Sequence, residues 1–108
     1  PVFKISSDTT VKNAVDYIGE HITEQMTLDR IADALHVSKS TLCHRFRQCM
    51  NTSVNRYIAT KKIYRAMRLI ESGMSANEAA SAVGYEHYTT FYHNYRQIIG
   101  ALPSNDKK

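Results

Sequence analysis

Proline and glycine are scarce in this chain of 108 residues, with two prolines, at positions 1 and 103, and four glycines. With so few breakers, nothing punctuates the interior into short strands and hairpins. Cysteine is almost missing as well. Cys43 and Cys49 are the whole complement, too few for a disulfide scaffold and set wider apart than common zinc-ligand pairs, so they read as two reduced, buried thiols in a cytoplasmic protein. No apolar run approaches the roughly 20 residues that span a bilayer, and no basic-then-apolar leader opens the chain. The expectation is a soluble protein away from any membrane. The inner faces carry no paired carboxylates, and neither a Gly-rich phosphate loop nor a nucleophile elbow is found, so no enzyme, cofactor or metal is expected. The length excludes a multidomain enzyme. Because the chain opens on Pro1 rather than Met, it reads as a domain excised from a longer protein.

Acid is missing from one long stretch. Between residues 34 and 70 stand Lys39, Arg45, Arg47, Arg56, Lys61, Lys62, Arg65 and Arg68 with no Asp or Glu, a local charge of +8, whereas residues 1–33 carry −3 and residues 71–108 carry −1. A basic middle between acidic flanks suits a phosphate-bearing or otherwise polyanionic partner.

What is present is helical periodicity. Val11, Ala14, Val15, Ile18 and Ile22 share one stripe, opened by Asp8, Thr9 or Thr10 as the cap. Thr27 heads a short helix with Leu28, Ile31, Ala32 and Leu35 inside. Ser38 precedes Leu42, Phe46 and Cys49. Ser53 opens the longest pattern, through Ala59, Ile63, Ala66, Met67 and Ile70, which Gly73 closes. Ser75 and Glu78 form a capping box before Ala79, Ala80 and Val83. Gly84 breaks that helix, and Phe91, Tyr95 and Ile98 mark the last one. The expectation is an all-α chain of six helices, with room for the stub of a seventh, and a frayed tail from Asn105 to Lys108.

An internal repeat organises these helices. Ile31-Ala32-x-x-Leu35-His36-Val37 returns 48 residues later as Ala79-Ala80-x-x-Val83-Gly84-Tyr85. One extra residue then makes the offset 49, at which Leu42 and Phe46 match Phe91 and Tyr95, Asn51 matches Gly100, and Val54 matches Pro103. Each copy is a short helix with a small residue inside, a tight turn, and a longer helix anchored by two large residues four apart: a helix-turn-helix. Residues 1–52 make the first subdomain, 53–73 a connecting helix and 74–108 the second subdomain with its tail.

At about 100° per residue, Ser40, Cys43, His44 and Arg47 fall opposite Leu42, Phe46 and Cys49. The same face one repeat later carries Thr89, Tyr92, His93 and Arg96. Hydroxyl, imidazole and guanidinium groups recur at equivalent places, donors suited to base edges and phosphates. A connecting helix from Ser53 to Ser72, about 30 Å long, approaches the ~34 Å between successive major grooves. One chain is thus expected to read two half-sites, with the duplex bending if the reach falls short.

Several segments carry a family resemblance. They are Leu28-Asp29-Arg30-Ile31-Ala32, Val37-Ser38-Lys39-Ser40-Thr41-Leu42-Cys43-His44-Arg45-Phe46, and Tyr57-Ile58 followed by Ile63-Tyr64-Arg65-Ala66. Further on come Ala80-Ser81-Ala82-Val83-Gly84-Tyr85, Phe91-Tyr92-His93-Asn94-Tyr95-Arg96 and Gly100-Ala101-Leu102-Pro103. With these the chain resembles the DNA-binding domain of the AraC/XylS family of bacterial transcription regulators. Asn51 and Val54 stand where that family usually has Gly and Pro, and Arg45 where it usually has an apolar residue. The Tyr-Arg pair that commonly follows the Pro is also absent. The resemblance implies that bases of double-stranded promoter or operator DNA are read by Ser40, Cys43, His44, Tyr88, Thr89, Tyr92 and His93.

Arg47 and Arg96 are assigned to phosphate, as are Ser38 and Ser53 at helix starts. Arg45, Arg56, Lys61, Lys62 and Arg65 are assigned sequence-blind phosphate contacts. The resemblance further implies an activator's contact with RNA polymerase, through acidic Glu20, Glu24, Asp29 and Asp33. It also implies a monomeric domain whose dimerisation or effector binding would belong to a separate N-terminal part. Against this stands a small helical interaction module whose basic helix docks an acidic protein. A metal site is not expected, because Cys43 and Cys49 point to different faces. A redox switch at Cys43 has only the nearby His44 and Arg47 in its favour.

Overall fold

The computed structural model describes residues 8–103. Six helices follow one another: α1 (Thr9–Glu20), α2 (Leu28–Leu35), α3 (Lys39–Met50), α4 (Val54–Glu71), α5 (Ala76–Ala82) and α6 (Tyr88–Ile99). No strand occurs among the described residues. The expected tail from Asn105 to Lys108 lies outside them, and the described chain beyond Ile99 is not helical.

Most starts are fixed by side chains that the sequence offers. Asp8, of the three candidate caps, accepts from the amides of Thr10 and Val11 at 2.9 and 3.3 Å. Thr27 accepts from Arg30 N at 3.1 Å, and Ser53 from Arg56 N at 3.1 Å. Ser75 and Glu78 close a reciprocal capping box, with bonds of 3.0 and 3.1 Å. Each such bond satisfies an amide that the first turn leaves without a partner. α6 differs, since His87 precedes it without a side-chain cap.

The chain divides into two compact units: residues 8–21 with 26–58, and residues 22–25 with 59–103. The boundary falls inside α4 rather than at either of its ends. In the first unit, α1 packs on α2 and α3, and α2 on α3. Val11, Ala14, Ile18, Ile31, Leu42 and Phe46 are buried there, and the Tyr57 ring meets Phe46 edge-on at 5.3 Å. Met50 is buried while Cys49 beside it is only half-buried, as is Cys43. The pair therefore departs from the buried thiols expected: Met50, four residues beyond Phe46, takes the inner place. In the second unit Ile63, Ala66, Ile70, Ala79, Ala80, Val83, Phe91 and Tyr95 form one core. Tyr85 and Tyr95 flank Phe91 at ring distances of 5.4 and 5.6 Å.

Both offsets of the repeat hold at the level of single hydrogen bonds. Val37 N donates to Ala32 O at 3.1 Å, and Tyr85 N to Ala80 O at 3.0 Å. Asn51 N donates to Arg47 O, and Gly100 N to Arg96 O, both at 2.9 Å. The matched turn residues share a positive φ: 60° at His36 against 89° at Gly84, and 59° at Asn51 against 89° at Gly100. Ala32 and Ala80 are equally buried, each 3% exposed, as their role at a close helix contact requires.

Gly84 is constrained twice over. Besides its φ, a Cβ there would lie 2.7 Å from Thr23 O and 3.1 Å from Lys62 Nζ, whereas one at Gly73, with φ 115°, would meet nothing within 4 Å. Gly84→Ala should therefore cost about 3 kcal/mol or more of unfolding free energy, against about 1–2 kcal/mol for Gly73→Ala. Urea denaturation of both variants measures the difference, and equal losses would contradict the crowding at Gly84.

Candidate nucleic-acid interface

Ser38 sets the start of α3. Its Oγ accepts from Thr41 N at 3.0 Å and donates to Thr41 Oγ1 at 2.9 Å. From there Leu42 and Phe46, both fully buried, pin one side of the helix to the core. Ser40, His44 and Arg47 are left exposed on the other side, with Cys43 half-buried among them. In α6, Phe91 and Tyr95 do the pinning. Thr89, His93 and Arg96 are exposed, and Tyr92 is half-buried. At all four equivalent positions the two helices have the same degree of exposure. Each unit thus brings together a hydroxyl, an imidazole and a guanidinium on one solvent-facing helical stripe, without a carboxylate in it.

The stripes differ at the fourth position. Beside Cys43 lies a hollow of about 170 Å³, lined by Leu28, Cys43, Arg47, Ser53, Val54 and Asn55. In α6 the equivalent place holds the Tyr92 ring, 6.4 Å from Tyr88 and 5.6 Å from His93. Tyr88 rests on Phe91 at 5.6 Å yet remains 39% exposed. Its partial burial, with Tyr92 adding, raises its pKa above the ordinary tyrosine value, so its hydroxyl is a neutral donor at pH 7.

The basic stretch is less uniform than its sequence. Arg56, Lys61, Arg65 and Arg68 are exposed on α4. Arg45 is exposed too, but its Nη1 lies 3.2 Å from Oδ2 of Asp8, the cap of α1. Lys39 stands 3.5 Å from Asp29, one of the acidic residues near the start. No three His, Cys, Asp or Glu side chains are grouped to hold a metal ion among the described residues. No described helix is long and apolar enough to cross a membrane.

A family model described as a helix-turn-helix domain matches residues 31–108. The chain belongs to the helix-turn-helix family, in its AraC/XylS branch. Over 102 residues it is 26% identical to the xylose operon regulatory protein of Escherichia coli K12, covering 94% of this chain and 26% of that protein. The chain thus spans about a quarter of that regulator's length. In structure it is similar to an AraC-type transcriptional regulator from Chromobacterium violaceum, with TM-score 0.79, 25% identity, and coverage of 87% of this chain and 85% of that one. It is also similar in fold to the DNA-binding domain of AdpA, solved in complex with a target DNA, with TM-score 0.82, 24% identity, and coverage of 89% and 87%.

One assignment in this helix-turn-helix chain is corrected. Lys62, expected to meet phosphate, is 7% exposed. Its Nζ donates to the carbonyl oxygens of Ile22, Glu24 and Val83 at 2.6, 2.7 and 2.8 Å. An ammonium has three protons, and all three are used. Burial lowers its pKa to about 8, opposed by the charge of Glu24, so it remains protonated at pH 7. A cation so enclosed has no proton left for a phosphate oxygen. It serves instead to hold residues 22–25 and the end of α5 at the turn before α6, where the Gln25 side-chain amide also donates to Gly84 O. The sequence carried a signal for this. Lys62 lies four residues after Ile58 and four before Ala66, both buried, and so falls on the inner stripe of α4.

Lys62→Met keeps the apolar stem and removes the three donors. It should lower the unfolding free energy by about 3 kcal/mol or more, since three carbonyl oxygens, two of them in buried bonds, lose this donor. A loss under about 1 kcal/mol in urea titration would show that these bonds do not hold the turn.

Proposed function

We propose that this chain is the DNA-binding part of a bacterial transcription regulator, reading double-stranded promoter or operator DNA through the polar stripes of α3 and α6. The observation that carries this reading is the match between the stripes: Ser40, Cys43, His44 and Arg47 against Thr89, Tyr92, His93 and Arg96, with the same exposure at each pair. An α-helix fits the major groove, where every base pair shows a distinct edge to such groups. Two copies on one chain suit two half-sites in successive grooves, and α4 itself, with 18 residues, is about 27 Å long.

Ser40, Cys43, His44, Tyr88, Thr89, Tyr92 and His93 take the base-reading role. Arg47, Arg56, Lys61, Arg65 and Arg96 take phosphate, with the helix starts at Ser38 and Ser53 and with Arg45 where Asp8 releases it. The domain acts as a monomeric binding module rather than an enzyme, in the cytoplasm, where promoters are met. The acidic residues Glu20, Glu24, Asp29 and Asp33 are the surface offered to RNA polymerase in activation. The names of the relatives, a xylose operon regulator among them, support the regulatory role. An interaction module docking an acidic protein accounts for the basic stretch alone and leaves the paired stripes without a purpose.

Fluorescence anisotropy on a duplex selected from a random library, set against random DNA at two salt concentrations, tests this. Affinity should fall steeply with salt, and the selected duplex should outcompete random DNA. His44→Ala and His93→Ala should each remove about 1–3 kcal/mol of discrimination while leaving non-specific affinity nearly intact. Arg65→Ala should weaken both duplexes alike and flatten the salt slope by about one. A flat slope with no preferred sequence overturns the proposal.

A further inference from the structure

The aromatic pair at the start of α6 has a chemistry that phosphate and hydrogen-bond reading do not use. Tyr88 and Tyr92 adjoin Thr89, His93 and Arg96, yet they offer ring surface where α3 offers Lys39 and Cys43 at the equivalent places. The rings are held in place: Tyr88 against Phe91 at 5.6 Å, and Tyr92 between Tyr88 at 6.4 Å and His93 at 5.6 Å. Phe91 itself is fully buried, so the stack is anchored in the core of its unit. Apolar ring surface left in water on a polar stripe is unfavourable, and it gains by being covered. The floor of the major groove shows one apolar group among its donors and acceptors, the 5-methyl of thymine.

We propose that α6 selects thymine through its 5-methyl group, packed against the Tyr88–Tyr92 rings, so that the half-site read by the second unit contains thymine at the facing position. The inference rests on the DNA-reading function proposed above. It divides labour between the two stripes: α3 reads by hydrogen bonds beside a hollow, and α6 adds an apolar contact from a fixed ridge. The tyrosine hydroxyls are secondary in this account.

Deoxyuridine in place of thymine removes the methyl and leaves every hydrogen-bonding group unchanged, so the test does not disturb the protein. The 108-residue chain is first used to select a duplex from a random library, and the α6 half-site is located by the positions where His93→Ala relaxes discrimination. Replacing thymine by deoxyuridine there should weaken binding about fourfold for each methyl packed against a ring. Tyr92→Phe should keep that sensitivity. Tyr92→Ala should reduce it, and Tyr88→Ala with Tyr92→Ala should abolish it, binding the thymine and deoxyuridine duplexes equally. Should Tyr92→Ala fail to fold, the unaltered chain and Tyr92→Phe still decide. An α6 half-site indifferent to deoxyuridine overturns this inference alone and leaves sequence reading standing. So does a Tyr92→Phe variant that binds as weakly as Tyr92→Ala, because the hydroxyl would then be the contact. A library with no enriched sequence overturns both proposals.

Discussion

Two large side chains four residues apart decide what each reading helix can show to solvent. Leu42 and Phe46 in α3, and Phe91 and Tyr95 in α6, are buried. Once they are fixed, the rotation of the helix about its axis is fixed with them, because residues on a helix cannot turn independently. The polar stripe on the far side follows as a geometric consequence. The short helix before each turn supplies the other half of the constraint. A small residue (Ala32 or Ala80) and a positive φ (His36 or Gly84) set the close contact from which the longer helix departs. In the proposed reading, the orientation of the stripes comes before any single base contact.

The second turn is held more elaborately than the first. A buried ammonium at Lys62 gathers the carbonyls of residues 22 and 24 with that of Val83 at the end of α5. Gly84 leaves room for Thr23 O and Lys62 Nζ to approach. A charge buried this deeply is tolerable only because every proton has an acceptor. The short segment 22–25 belongs with the second unit although only His21, the C-cap of α1, separates it from that helix. The turn before α6 is thereby fixed by chain segments distant in sequence.

Much of this was legible from residues alone. Local rules set the starts at Thr27, Ser38 and Ser75, because a cap forms with amides within three residues. The repeat was legible because it lies in spacing, and its backbone bonds reproduce both offsets. The two stripes were legible because the helical period converts four positions into one face. The two charged side chains that escaped share a cause, since their partners lie far along the chain. Lys62 bonds to carbonyls 40, 38 and 21 residues away, and a charge count takes such a lysine for a solvated one. The pairing of Arg45 with Asp8 spans 37 residues. Cys49 looked internal by its spacing from Leu42 and Phe46, but Met50, larger and one position on, fills that place. Tyr88 and Tyr92 were named for their positions in the stripe, while the support of Tyr88 on the buried Phe91 ring shows only in the structure.

The central claim is that both stripes, and not one alone, face the duplex. Titrating the isotopically labelled chain with its selected duplex, and following amide and side-chain shifts by NMR, tests it directly. The account predicts that the largest changes fall at Ser40, His44 and Arg47 in α3 and at Thr89, His93 and Arg96 in α6, with the buried Ala32 and Ala80 little affected. Changes confined to one of the two helices, or centred on α1, would contradict it.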